Sequence, residues 1–215
     1  MNTIFRSITK TTLAIFVMSL ALASCKKDGD ESLLPVDSER AAATTNVTGT
    51  VFGHYGNPTV PPPAGPTGYA PLYLGLTGTP TTDTSSTAGS RQVKLVSYNN
   101  SFVQVVNSAQ YKLYYYYNPA KTWSTLKITD FTGSTGVAKT SIGQATSNTS
   151  NDGWYTYDPA DPSHTPVLVP GFFIAAISQT GGTSYVLKFN SVSGDGTPTN
   201  NRGIYVIQYG TLNNL

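Results

Sequence analysis

Residues that could carry chemistry are few in this chain. His54 and His164 are the only histidines, Cys25 is the only cysteine, and Glu31 and Glu39 are the only glutamates. A neutral imidazole can act as a base or as a metal ligand. Neither histidine, however, belongs to a His-Glu-x-x-His run, and the chain has no Gly-x-Ser-x-Gly elbow and no phosphate-cradling glycine loop. A glycosidase-type carboxylate pair would have to be built from aspartates alone, because both glutamates precede residue 40. No catalytic residue is assigned, and the chain reads as a non-enzyme. His164, between Pro162 and Pro166, reads either as a turn histidine or as a ligand, and His54, in Gly53-His54-Tyr55-Gly56, reads as exposed. Asp152, Asp158 and Asp161 supply too few oxygens at too wide a spacing for a calcium loop and read as turn-forming acids, so no metal site is assigned. The remaining chemistry is aromatic. Trp154, Tyr155 and Tyr157 form one cluster and Tyr114 to Tyr117 another. On a strand, Tyr115 and Tyr117 share one face and Tyr114 and Tyr116 the other. One pair is expected in the core. The other forms either a stacking platform or a cross-strand ladder that stabilises the sheet.

The N-terminus has the layout of a secretory leader. Arg6 and Lys10 supply positive charge, a charge-free apolar run extends from Leu13 to Ala23, and the run is too short to span a bilayer. It ends in Leu22-Ala23-Ser24-Cys25, which resembles a bacterial lipoprotein box. That resemblance implies removal of residues 1–24 and lipidation of Cys25, hence a membrane anchor. Each buried acyl methylene contributes about 0.8 kcal/mol. Residues 25–45 then form a tether that begins Lys26-Lys27-Asp28-Gly29-Asp30-Glu31. Such a charged start resembles the surface-export signal of Bacteroidetes lipoproteins, so outer-membrane, cell-surface exposure is expected. Arg6 and Lys10 account for the whole formal charge of +2, so the mature chain is neutral and nucleic acid is excluded as an expected partner. With Cys25 lipidated no internal disulfide can form, and stability must come from one hydrophobic core.

The elements that must position these residues are strands. Gly, Pro, Ser, Thr, Asn and Tyr dominate, and charged residues are scarce. Residues 46–90 carry little strand pattern beyond Val51-Phe52 and a possible edge strand within Tyr69 to Leu76, after Pro71. Val93 to Tyr98, a turn at Asn99-Asn100, and Phe102 to Val106 read as a hairpin. Tyr111 to Tyr117 is a strand, and Thr125 to Phe131 alternates as another. Residues 132–153 read as a long loop and a candidate binding edge. Trp154 to Tyr157, Val167 to Val169, Phe172 to Ile177, Ser184 to Phe189 and Ile204 to Tyr209 complete the series. The expectation is one all-β, antiparallel domain over residues 46–215, with long loops.

Three segments resemble the HmuY family of Bacteroidetes lipoproteins. They are Asn99-Asn100-Ser101-Phe102-Val103-Gln104-Val105-Val106-Asn107-Ser108, then Asp152-Gly153-Trp154-Tyr155-Thr156-Tyr157-Asp158 followed by His164 and Pro166, then Gly181 to Phe189 with Gly203 to Tyr209. The likeness covers residues 91–215. It implies an all-β surface lipoprotein that binds haem between two axial His or Met side chains and delivers it to a TonB-dependent outer-membrane transporter. This chain departs from that pattern. Its only methionines, Met1 and Met18, lie in the leader, and where relatives carry a Met after the Asn-Ser turn it has Gln110, Tyr111 and Lys112. The haem-ligand candidates are therefore His164, Tyr111 (as a phenolate) and His54. Trp154, Tyr155, Tyr157, Tyr115 and Tyr117 are the pocket or stacking candidates. The alternative is the same fold without haem coordination, binding a glycan, another small molecule or a protein, or serving in adhesion.

Overall fold

Alternation of apolar and polar residues sends one side of a strand into a core and the other outward. The computed structural model describes residues 47–59, 68–77, 90–133, 136–158, 160 and 165–212, all of which fall in one compact unit, residues 40–215. The strands are β1 (Val47–Phe52), β2 (Leu72–Leu74), β3 (Val93–Val96), β4 (Phe102–Val105), β5 (Tyr111–Tyr117), β6 (Tyr155–Thr156), β7 (Val167–Leu168), β8 (Phe172–Ser178), β9 (Ser184–Thr197) and β10 (Asn200–Leu212). The only α-helix among the described residues is α1 (Ile128–Thr132). The fold is all-β, and every pair of named strands is antiparallel.

A five-stranded sheet has the order β1-β10-β9-β8-β5, a three-stranded sheet has β2-β3-β4, and β6 pairs with β7. The main core unites the two larger sheets. Leu72, Leu74, Val93, Leu95 and Val103 of the small sheet meet Leu113, Ile174, Leu187, Tyr205 and Ile207 of the large one. A second cluster, on the opposite face of the large sheet, holds Phe173, Ala175, Ile177 and Val186 under Leu126 and Phe131. β8 therefore has apolar cover on both faces. This explains why Phe172 to Ile177 reads as a continuous apolar run without alternation.

The tyrosine run divides between the two layers as its alternation requires. Tyr115 and Tyr117 pack against the main core, and Tyr114 and Tyr116 against the second cluster. Tyr115 stacks on Phe172 at 5.1 Å, and Tyr116 meets Phe131 edge-on at 5.9 Å.

Three expectations need correction. Thr125 to Phe131 is not a strand; it is the end of a 3-10 turn followed by α1. The Asp130 carboxylate accepts the Lys127 N–H at 2.8 Å and pairs with Lys121 at 2.9 Å, which closes the first helical turn locally. The weakly patterned segment after residue 46 forms β1, because its backbone pairs along β10 from Val47↔Tyr209 to Phe52↔Ile204. The last hairpin extends well past Phe189 and Ile204. Its tip continues beyond the stretch paired with β8, where register covers only Ile174–Ala176 and Tyr185–Leu187. A bulge between Val206 and Ile207 leaves Asn190 unmatched and separates the packed base of the hairpin from its tip.

Residues 136–153 are mostly irregular, as their composition suggests, yet they link the two sheets. Lys139 N–H donates to the Leu113 carbonyl at 2.7 Å, and Ile142 exchanges two bonds with Val103 at 2.8 and 3.0 Å. They thereby pair with part of β5 and part of β4, covering backbone that would otherwise invite edge-to-edge association.

Candidate functional site

The turn between β3 and β4 organises the site. Ser97, Asn99 and Asn100 all adopt positive φ (65°, 53° and 57°), a conformation in which Asn is favoured among non-glycine residues. Asn100 is fully buried and saturated. Its Oδ1 accepts the His54 N–H at 2.8 Å, and its Nδ2 donates to the Ala70 and Leu95 carbonyls at 2.8 and 3.1 Å. One amide thus joins the end of β1, the approach to β2, and β3.

Trp154 sits against this turn with 2% exposure. Its Nε1 donates to the Ser101 carbonyl at 2.9 Å, and its ring stacks on Phe189 at 3.8 Å and 11°. The Tyr155 hydroxyl lies 3.0 Å from Ser101 Oγ. Burial pushes the Tyr155 phenol up, with Ser101 opposing the shift. The Tyr205 hydroxyl donates to the Asn99 carbonyl at 2.5 Å, and burial holds this phenol far above the usual tyrosine range. Gly203 is required beneath that hydroxyl, since a Cβ there would fall 2.0 Å from it.

The hairpin tip forms the other wall. Asp195 and Arg202 are cross-strand partners, with a 2.9 Å ion pair. The same carboxylate oxygen accepts the Tyr55 hydroxyl at 2.6 Å, and the guanidinium lies over the Tyr55 and Phe52 rings at 4.5 and 5.0 Å. The Tyr55 hydrogen bond and then Arg202 hold the Asp195 carboxyl below its ordinary range. Tyr69 adds a bond from its hydroxyl to Asn201 Oδ1.

Between these walls opens a cleft of about 1050 Å³. Trp154, Tyr155 and Tyr157 line it, as does Tyr98, which is 41% exposed. Gln144 is the contribution of the long loop, and Asn99, Asp195, Asn201 and Arg202 bring polar groups. No group of three or more His, Cys, Asp or Glu among the described residues could hold a metal ion.

The other candidates lie elsewhere. Tyr115 and Tyr117 are absent from the lining and pack in the sheet. Tyr111 is also absent from the lining. It is buried, meets Tyr185 edge-on at 6.0 Å, and its phenol is pushed up by burial and then by Tyr185. A phenol held protonated is poorly disposed to act as a phenolate ligand. His54 does not line the cleft either, and the expectation that it is exposed is corrected. It is half-buried, with Nε2 enclosed and unpartnered, because its backbone is tied to Asn100. Cys25, Asp161 and His164 lie outside the described residues, although Thr165 and Pro166, which follow His164 in sequence, line the cleft.

Asp152 accepts the Thr146 N–H at 2.9 Å and the Thr146 hydroxyl, and these bonds lower its carboxyl. Asp158 accepts the Ala160 N–H at 2.8 Å. Both act as turn acids.

Sequence reasoning did not single out Tyr98, Gln144 or the Asp195–Arg202 pair. Asn99 carried a signal only as a turn residue. The tip residues carried none, because their role depends on where a long hairpin ends in space. No family model, no curated protein and no solved structure matches this chain.

Proposed function

We propose that this chain is a lipid-anchored cell-surface protein, of HmuY-like type, that binds a ligand in the cleft without transforming it and without coordinating iron. The observation that carries the reading is the convergence on one cleft of Trp154, Tyr155 and Tyr157 with the 97–102 turn and the tip of β9–β10. Large concave sites that combine aromatic rings with a few polar groups are the usual place for a small ligand. The anchor rests on Leu22-Ala23-Ser24-Cys25 and the charged tether. One observation weighs against iron: Tyr111 and His54, two of the three ligand candidates, lie away from the described lining.

Haem capture for a TonB-dependent transporter is the second reading. It is favoured by one placement: His164 directly precedes Thr165 and Pro166 at the cleft. Titration of the mature protein with haem, read by absorbance in ferric and ferrous states, decides between the two. The expected result is no change beyond that given by an unrelated protein. A saturable one-to-one change with low-spin bands, lost in His164→Ala, would overturn the iron-free reading and install haem with His164 at iron.

A further inference from the structure

We infer that the cleft takes a neutral saccharide, stacked on Tyr98 at the rim and hydrogen-bonded by Gln144. This inference rests on the cleft being the ligand site. The described lining contains one cation, Arg202, and one anion, Asp195, and they neutralise one another at 2.9 Å. An anionic ligand would therefore have to compete with an ion pair already made, and a cationic one likewise. The described lining contains no lysine and no histidine. An uncharged ligand is the one the electrostatics accept without a desolvated, unpaired charge.

The polar groups that remain are of one kind. Asn201 and Gln144 carry amides, Ser101, Ser193 and Thr197 carry hydroxyls, and the Asn201 Oδ1 already accepts from Tyr69, which leaves its NH2 and the Gln144 amide toward a ligand. Amides and hydroxyls both donate and accept, as ligand hydroxyls do, so either sense of hydrogen bond can be met. Gln144 is exposed, with its Nε2 on the Tyr157 carbonyl at 3.2 Å, which orients its amide at the mouth. Trp154 is already stacked on Phe189 with 2% exposure, so it is a floor and not a platform. Tyr98, by contrast, offers an exposed ring at the rim. A sugar presents an apolar C–H face and a polar hydroxyl edge, and Tyr pairs an apolar ring with a polar tip. A doubly charged ligand would find no unengaged cation in the described lining.

The test is calorimetric titration of the mature protein with neutral hexasaccharides of glucose, xylose, mannose and N-acetylglucosamine. Saturable binding of at least one is expected. Tyr98→Ala and Gln144→Ala should each weaken it about tenfold, the loss of one well-made contact, with thermal midpoints unchanged. Absence of binding to all four overturns the inference. If haem then saturates and responds to Tyr98→Ala, the sugar is refuted while the cleft remains the ligand site. A sugar that binds with the same affinity to both variants sits elsewhere and overturns the cleft reading as well.

Discussion

Replacing Asn100 with Ala should be among the most damaging single changes in this protein. The side chain is fully buried and makes three hydrogen bonds to backbone groups of three separate segments. Its loss strands one N–H and two carbonyls, each worth about 1 kcal/mol net. The φ of 57° adds roughly 1 kcal/mol for a residue with a Cβ and no side-chain amide to compensate. The sum is about 4 kcal/mol, a large part of the 5–15 kcal/mol that holds a typical domain. For a domain of this size that corresponds to a fall in Tm of roughly 8–16 °C. Asn100→Gly should recover about 1 kcal/mol of the loss, because it relieves the backbone term and leaves the bonds broken. Urea denaturation followed by tryptophan fluorescence measures both. A loss below about 1 kcal/mol in Asn100→Ala would place the change among ordinary surface substitutions and refute the idea that this amide joins the segments.

Gly153→Ala should cost more than about 2 kcal/mol, because the new Cβ would fall 2.2 Å from the Ala145 backbone nitrogen, which cannot turn aside as a side chain can; a thermal midpoint equal to that of the parent would sink this. Trp154→Phe keeps the ring on Phe189 but strands the buried Ser101 carbonyl, so it should cost about 1–2 kcal/mol; an unchanged urea midpoint would show that the indole N–H contributes nothing. Alkali should unfold the chain through its buried phenols. Tyr69, pushed up to about 12, and Tyr205, pushed up further, favour the neutral form when folded, so their contribution is complete below about pH 10 and is lost as pH rises through 12. Absorbance at tyrosinate wavelengths, read beside circular dichroism, checks this, and titration of all 14 tyrosines in one step with the fold intact would contradict it.

What could be read from sequence follows a physical division. β5 was legible to the residue because Tyr111 to Tyr117 is dense in β-favouring side chains, and β8 because its apolar run admits few other readings. Of the five aromatics expected as pocket or stacking residues, Trp154, Tyr155 and Tyr157 line the cleft, whereas Tyr115 and Tyr117 pack in the sheet, because a dense tyrosine strand does not itself say which of its faces is covered. The outer part of β9–β10 was not legible. Ser191 to Asn201 is made of Ser, Gly, Asp, Thr and Asn around Val192 and Pro198, a composition that says turn. Apart from the turn at Pro198 and Thr199, these residues are strands because the hairpin base, fixed in register by the core, carries the ladder outward. β1 was illegible for the same reason: its hydrogen bonds come from β10, not from its own pattern. Thr125 to Phe131 misled because period-2 alternation over a few residues cannot outweigh a local carboxylate that caps a helical turn.

The adjacent residues Asn99 and Asn100 show how stability and the shape of the cleft are coupled here. Asn100 is buried and holds the sheets together, whereas Asn99 lines the cleft and offers its carbonyl to Tyr205. One left-handed turn therefore fixes both the packing of the core and the shape of the cleft floor. The hairpin tip is tied to β1 and the residues after it through Asp195, Tyr55, Arg202 and Phe52, so the opposite wall is also set by contacts distant in sequence. A ligand held between two walls fixed in this way would meet a largely preformed site, and little of its binding free energy would be spent on ordering the protein. It follows that substitutions at Asn100 should weaken binding and stability together, whereas substitutions at the exposed rim, such as Tyr98, should separate them. The contrast between those two variants measures how far this cleft owes its shape to the fold and how far to its ligand.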